Sequence, residues 1–191
     1  SQPSKQPLDK AQRTQAWLNL FSKHGFQLFN EQTDNEQLLT RMSLASTLLP
    51  ESFPTINRDE LRAHSQWLAP YLSDIKNLEQ LKKFNYGEAL KNCFDWQQQS
   101  ALNELLPLRL TVPSGSNVRI TYQLDGPAKL SVRMQEVYGM TSTPLLAQGK
   151  LPLLMELLSP AKRPLQLTQD LANFWQTSYR DVQKEMKGRY P

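Results

Sequence analysis

Leu108-Arg-Leu-Thr-Val112, Val118-Arg-Ile-Thr-Tyr122 and Leu130-Ser-Val-Arg-Met134 are three runs in which every second residue is apolar. Successive side chains of a strand point to opposite faces, so this alternation describes strands with one face buried and the other wet. Pro113-Ser-Gly-Ser116 and Asp125-Gly-Pro127 separate the runs. Both are turns, because proline presets one dihedral angle and glycine supplies the permissive one. The pattern predicts an antiparallel meander of three strands, the third running on through Met134 to Val137.

Before Pro107 the apolar period is helical, which makes this proline the predicted boundary between a mainly helical region, 1–107, and an antiparallel sheet with a terminal helix, 108–191. Asp9 with Gln12 reads as a capping pair ahead of a helix to Lys23, and Gly25 stops it. Thr33 with Glu36 opens a second helix carrying Leu38, Met42, Ala45 and Leu49, ended by Pro50. Asn57 with Glu60 opens a third, which Pro70 must kink or end. Further helices are predicted at 77–84, 86–94 and 96–106, the last capped by Asp95. Phe26-Gln-Leu-Phe-Asn30 alternates and is read as a short strand.

Beyond the meander, Leu151 to Leu158 is an apolar run of strand length with Pro152 at its start or on an edge. Ser159-Pro-Ala-Lys-Arg-Pro164 is a stiff connector, and residues 165–168 form another strand. One helix follows, capped by Thr168 or Asp170, with Leu171, Phe174, Trp175, Tyr179, Val182 and Met186 on related faces and Gly188 as its stop. The expected fold class is α+β, a short-helix N-terminal part packed on a C-terminal sheet with a terminal helix.

A hydrophobic fraction of 39% and a charged fraction of 21% over 191 residues describe a folded chain with room for a sizeable core. Cys93 is the sole cysteine, which excludes an internal disulfide and a multi-thiolate zinc site. No apolar run approaches the ~20 residues needed to span a bilayer, and residues 1–9 lack the apolar stretch of a signal peptide. The expected compartment is the cytoplasm. Charge divides unevenly: residues 1–107 carry 11 Lys+Arg and 12 Asp+Glu, while 108–191 carry 11 and 6, a balance of +5 in the second part. That excess favours a polyanionic partner.

Catalytic patterns are wanting. A phosphate loop needs a glycine five residues before a Gly-Lys-Ser/Thr, and Gly149-Lys150 is followed by Leu151 with Pro144 where that glycine would stand. No acidic box for a nucleotide-bound metal is present. His24 and His64 are 40 residues apart and lack metal-ligand spacing. Cys93 reads as a small core residue. Glu156 and Asp170 are separated carboxylates without a recognisable partner set. No catalytic, cofactor-binding or metal-binding residue is therefore expected.

Binding candidates lie in the basic second part. Arg119 and Arg133 sit on alternating strands and are expected to share one sheet face. Lys162 and Arg163 ride the proline-braced connector. Arg180, Lys184, Lys187 and Arg189 belong to the last helix and its exit. Such residues neutralise phosphates, and Tyr190 or Trp175 can stack on a base. Each also has a plain structural role: Trp175 with Phe174 in the core, Tyr190 pinning the chain end, Lys184 in surface pairing with its neighbours.

Thr111 to Ser116, Arg133 to Gly139, Leu157 to Pro164, Thr168 to Trp175 and Tyr179 to Pro191 resemble the C-terminal region of the bacterial HrpB-type ATP-dependent RNA helicases, relatives of the DEAH-box class. The resemblance is close from about Leu105 onward and looser before it. It implies an accessory module that follows two RecA-like motor domains, with ATP and Mg confined to those domains. It implies as partners the motor domains of the same polypeptide, RNA or single-stranded nucleic acid, or another protein. In that family the chain runs on past Arg-Tyr-Pro into a short polar tail, so the tail is expected to be absent or trimmed here. The resemblance supplies no active-site residue. Two functions follow: contact with RNA through a basic face, or a structural module that braces the motor or recruits a partner.

Overall fold

The computed structural model describes residues 8–189. The chain divides into two compact units, Ser1–Gln99 and Ser100–Pro191. The division falls inside the helix that sequence patterning places immediately before Pro107.

The first unit is built of short helices with side-chain caps. Helix α1 (Lys10–His24) starts at the expected capping box: Gln12 N–H donates to Asp9 Oδ1 at 2.7 Å, and Asp9 N–H to Gln12 Oε1 at 3.1 Å. Gly25 ends it with φ of 68°, the left-handed region that favours glycine. Helix α2 spans Thr33–Leu48, so Thr33 is its first helical residue and not its cap. The preceding Gln32 is turned outward to another segment, its amide donating to the Phe84 carbonyl and accepting from Tyr86 N–H. Helix α3 (Arg58–Ala63) is capped by Asn57, whose Oδ1 accepts from Glu60 N–H at 2.8 Å. A 3₁₀ turn, Ser65–Tyr71, carries Pro70. Helices α4 (Leu78–Lys83) and α5 (Gly87–Lys91) follow. Helix α6 (Trp96–Leu105) opens at a reciprocal Asp95–Gln98 pair.

The predicted strand at 26–30 is a 3₁₀ helix, Gly25–Leu28, instead. In a 3₁₀ turn residues i and i+3 eclipse, so Phe26 and Phe29 point the same way. Both enter one aromatic cluster: Phe26 lies 5.1 Å from Tyr86 and Phe29 5.3 Å from it, centroid to centroid, with Phe21 at 5.3 and 5.9 Å from the pair. A strand would have sent the two phenylalanines to opposite faces. Leu18, Phe21, Met42, Leu68 and Leu90 complete a buried core.

The second unit holds a five-stranded sheet in the order β1 (Arg109–Thr111), β2 (Asn117–Thr121), β3 (Ala128–Arg133), β4 (Leu153–Leu158), β5 (Pro164–Thr168). β1, β2 and β3 form the expected antiparallel meander. β4 joins β5 antiparallel but β3 in parallel, with Leu130 opposite Met155 and Val132 opposite Leu157, so the sheet is mixed and not antiparallel throughout. Parallel neighbours need a crossover of a dozen residues or more, and residues 134–152 supply it. Met134 and Val137 are in consequence a buried 3₁₀ turn leaving the sheet, and not the end of its third strand.

One sheet face is buried through Ile120, Ala128, Leu130, Val132, Leu153, Met155 and Leu157. Tyr122 is buried too, and its hydroxyl donates to the Pro107 carbonyl at 2.6 Å. The single terminal helix of the sequence reading is two helices, α7 (Leu171–Gln176) capped by Asp170, and α8 (Tyr179–Arg189). Thr177 breaks the run: its N–H and hydroxyl both return to the Asn173 carbonyl, which closes α7. Gly188 lies within α8 and does not stop it. No helix among the described residues is long and apolar enough to cross a membrane.

Candidate functional site

The strand alternation that buries one sheet face leaves the other to polar residues. β1 contributes Arg109 and Thr111, β2 Asn117, Arg119 and Thr121, and β3 Lys129, Ser131 and Arg133. Arg109 stands directly opposite Arg119, and Thr121 opposite Lys129. All are exposed except Arg133, which is half-buried. Arg119 and Arg133 thus share one face, as the alternation requires. Arg109 and Lys129 belong to the same face and were not singled out in the sequence. The signal was there: Arg109 falls at the same phase of its run as Arg119 does of its own, and Lys129 lies two residues before Ser131.

Charge on this face is not wholly free. Glu156 of β4 accepts from Ser131 Oγ at 2.9 Å and pairs with Lys129 Nζ at 3.2 Å. The Ser131 hydrogen bond, with lesser help from Lys129, holds the Glu156 carboxyl below its ordinary value against the opposing effect of burial. Arg109 Nη1 donates weakly to the Asn117 carbonyl at 3.4 Å. Leu154 and Leu158 of β4 and the exposed Leu167 of β5 make the far side of the face apolar.

Lys162 and Arg163 lie in the β4–β5 turn. Lys162 N–H reaches the Ser159 carbonyl at 2.8 Å, Ser159 N–H the Arg163 carbonyl at 2.8 Å, and Lys162 itself adopts φ of 62°. Because Arg133 pairs with Leu158 at the end of β4, the turn emerges at the end of the sheet where Arg133 sits. These three candidates are brought together. Arg180, Lys184 and Lys187 fall at spacings of four and three, one exposed stripe along α8, and none is held in an ion pair among the described residues. They form a second basic group on a separate element. Arg189 is paired with Glu185 at 3.4 Å. Tyr190 lies outside the described residues.

Trp175 has neighbours beyond the core reading. Its indole N–H donates to the Met140 carbonyl at 2.7 Å, and its ring lies 6.0 Å from Tyr138 and 5.1 Å from Tyr179. The crossover delivers Tyr138, and the break at Thr177 turns Tyr179 toward it. With Gly139, Met140 and Thr141, these three rings line a recess of about 210 Å³. The Tyr138 and Tyr179 hydroxyls are 3.4 Å apart. Partial burial, with that contact adding to it, pushes the Tyr138 phenol up to about 12.

The groups weighed as catalytic have structural employment. Asp170 caps α7 through Asn173 N–H at 3.0 Å. Cys93 is half-buried with its thiol pushed up to about 11 by burial, which keeps it protonated. His64 lies 3.7 Å from Glu60 on the exposed face of α3's end.

Comparison with known proteins places these features in a family. Residues 67–191 match the family described as ATP-dependent helicase C-terminal, HrpB_C. The chain is 44% identical over 191 residues to the ATP-dependent RNA helicase HrpB of Escherichia coli strain K12, covering 97% of this chain and 24% of that protein. Two solved structures resemble it over its whole length. One is the crystal structure of the E. coli DExH-box NTPase HrpB, at a TM-score of 0.92 and 43% identity. The other is that of the Escherichia coli DEAH/RHA helicase HrpB, at 0.85 and 42%. The chain spans about a quarter, 24%, of the length of each.

Proposed function

This chain belongs to the HrpB-type ATP-dependent helicase C-terminal family, and from that premise we propose that it is a non-catalytic accessory module which contacts RNA or single-stranded nucleic acid through the open face of its sheet. The supporting observation is the convergence of Arg109, Arg119, Lys129 and Arg133 on that face, with the Lys162–Arg163 turn at its end. Arginine forks and lysines spaced along strands suit phosphates repeating along a backbone, and the exposed Thr121 hydroxyl offers a further donor. Arg109 and Arg119 stand directly opposite one another across β1 and β2, which sets two guanidinium groups within reach of one phosphate. The motor domains of the same polypeptide are the first partner of this module, hold ATP and Mg, and carry the hydrolysis. The cytoplasm is its compartment.

The test is a titration of the protein with single-stranded RNA at several salt concentrations. Binding that weakens steeply with salt, and that drops at least tenfold in an Arg119→Glu/Arg133→Glu variant of unchanged stability, is expected. Absence of binding at low salt sinks the reading.

A second reading has its own observation. Trp96 is 79% exposed in the first unit and Leu145 80% exposed in the second, two single large apolar side chains that a neighbouring protein surface would cover. They favour a role in bracing the motor domains or recruiting a protein partner. Cross-linking of the complete helicase polypeptide from cysteines introduced beside Trp96 or Leu145 tests it, and cross-links to no other domain or protein would dismiss it.

A further inference from the structure

The recess formed by Tyr138, Trp175 and Tyr179 lies off the sheet strands, its Trp175 and Tyr179 rings backed by the buried Phe174. We propose that it takes one unstacked nucleobase of a single-stranded nucleic acid whose backbone is held by the neighbouring cations, a reading that rests on the proposed nucleic-acid contact. Three properties point to a base. Three aromatic rings from two separate segments converge there, with Tyr138 44% exposed, so a planar ring finds π surface already desolvated on one side. At about 210 Å³ the recess is smaller than the ~300–1,000 Å³ of sites for drug-sized ligands, which suits one ring system and excludes a whole nucleotide cofactor. The cationic stripe of α8 starts one residue past Tyr179, at Arg180, and continues through Lys184 and Lys187.

Chemistry argues for a base over a proline-rich peptide. Aromatic grooves also dock polyproline segments, but the exposed cations Arg180, Lys184 and Lys187 beside the rings suit a phosphate backbone and give a neutral proline-rich peptide nothing to pair with. The Trp175 N–H is already committed to the Met140 carbonyl at 2.7 Å. That bond also fixes the indole, and Phe174 at 5.2 Å and Tyr179 at 5.1 Å wedge it further, so little ordering is left to be lost on binding. The Tyr138 and Tyr179 hydroxyls and the exposed Thr141 stand at the rim as groups able to meet a base edge.

The experiment compares a short single-stranded oligoadenylate with the same oligomer made abasic in its middle, against the intact protein, Tyr138→Leu and Tyr138→Phe. Base stacking carries enough energy that losing one stack lowers affinity by roughly tenfold. The intact protein is expected to bind the abasic oligomer about tenfold more weakly, Tyr138→Leu to bind both oligomers equally weakly, and Tyr138→Phe, which keeps the ring, to behave like the intact protein. The salt dependence stays the same throughout, because no phosphate contact is touched. Equal binding of the two oligomers by the intact protein, with its salt dependence present, overturns the base site and leaves the sheet-face reading standing. Failure of both oligomers to bind at low salt removes the underlying nucleic-acid contact and the base site with it. Should Tyr138→Leu be unstable, 2-aminopurine in the oligomer gives the answer on the intact protein: quenching on binding supports stacking, and unchanged fluorescence refutes it. Displacement of bound oligomer by a proline-rich peptide, with no effect of base removal, assigns the recess to a peptide and overturns the proposal.

Discussion

Glu156 is the residue where the chemistry of the sheet face meets its stability. Ser131 and Lys129 hold its carboxyl below the ordinary value, so folding is favoured by the ionised form. The contribution is complete above the unfolded side chain's pKa, roughly 4.3, and is lost as the pH falls through the lower folded value. Glu156→Gln is expected to flatten the acid limb of stability below about pH 5 relative to the parent, read from denaturant midpoints across pH. An unchanged acid limb would mean that the Ser131 contact is immaterial in solution. Releasing Lys129 from its ion pair in the same variant adds a free cation to the face, so affinity for RNA should rise. Cys93 presents the opposite case of a group silenced by its surroundings. With its thiol at about 11, reaction with iodoacetamide at pH 8 is expected to be far slower in the folded chain than in the urea-unfolded one, and equal rates would contradict the half-buried placement.

Helix starts were the most legible elements, because a cap is a local transaction between residues three apart. Asp9 and Gln12 form the reciprocal pair that their spacing announces, and Asn57 and Asp95 cap their helices through the N–H groups of Glu60 and Gln98. Asn57→Ala should cost about 1 kcal/mol, measured by chemical denaturation, since it orphans the Glu60 N–H at the start of α3. Thr33 failed as a cap because Gln32 is drawn to Phe84 and Tyr86, more than fifty positions away, which no local pattern records. The β4–β5 turn separates conformation from charge. Lys162 sits at φ of 62°, where a side chain is disfavoured by ~1 kcal/mol. Lys162→Gly is therefore expected to leave stability unchanged or slightly raised while weakening RNA binding. A clear loss of stability would show that the lysine serves the turn and not a ligand.

At the scale of the whole molecule, binding depends on where charge and aromatic surface collect. The +5 balance of residues 108–191 is a bulk number, and only the sheet register converts it into a patch. If Arg119 and Arg133 each meet a phosphate, their joint reversal should lower the slope of log affinity against log salt by about two, and a parallel shift with unchanged slope would refute direct contact. The amino-acid order by itself determined the α+β class, the meander, most of the caps and the helicase kinship, because periodicity, turn chemistry and motif wording are written between near neighbours. It also placed Arg119 and Arg133 on one face, since alternation is a local rule. Tertiary structure alone decided the parallel pairing of β4 with β3, the 3₁₀ turn of Phe26 and Phe29, the break after α7 and the meeting of Tyr138 with Trp175 and Tyr179. Each of these minimises exposed apolar surface or unpaired backbone across separations of tens of residues, and that balance exists only when the partners are already in place.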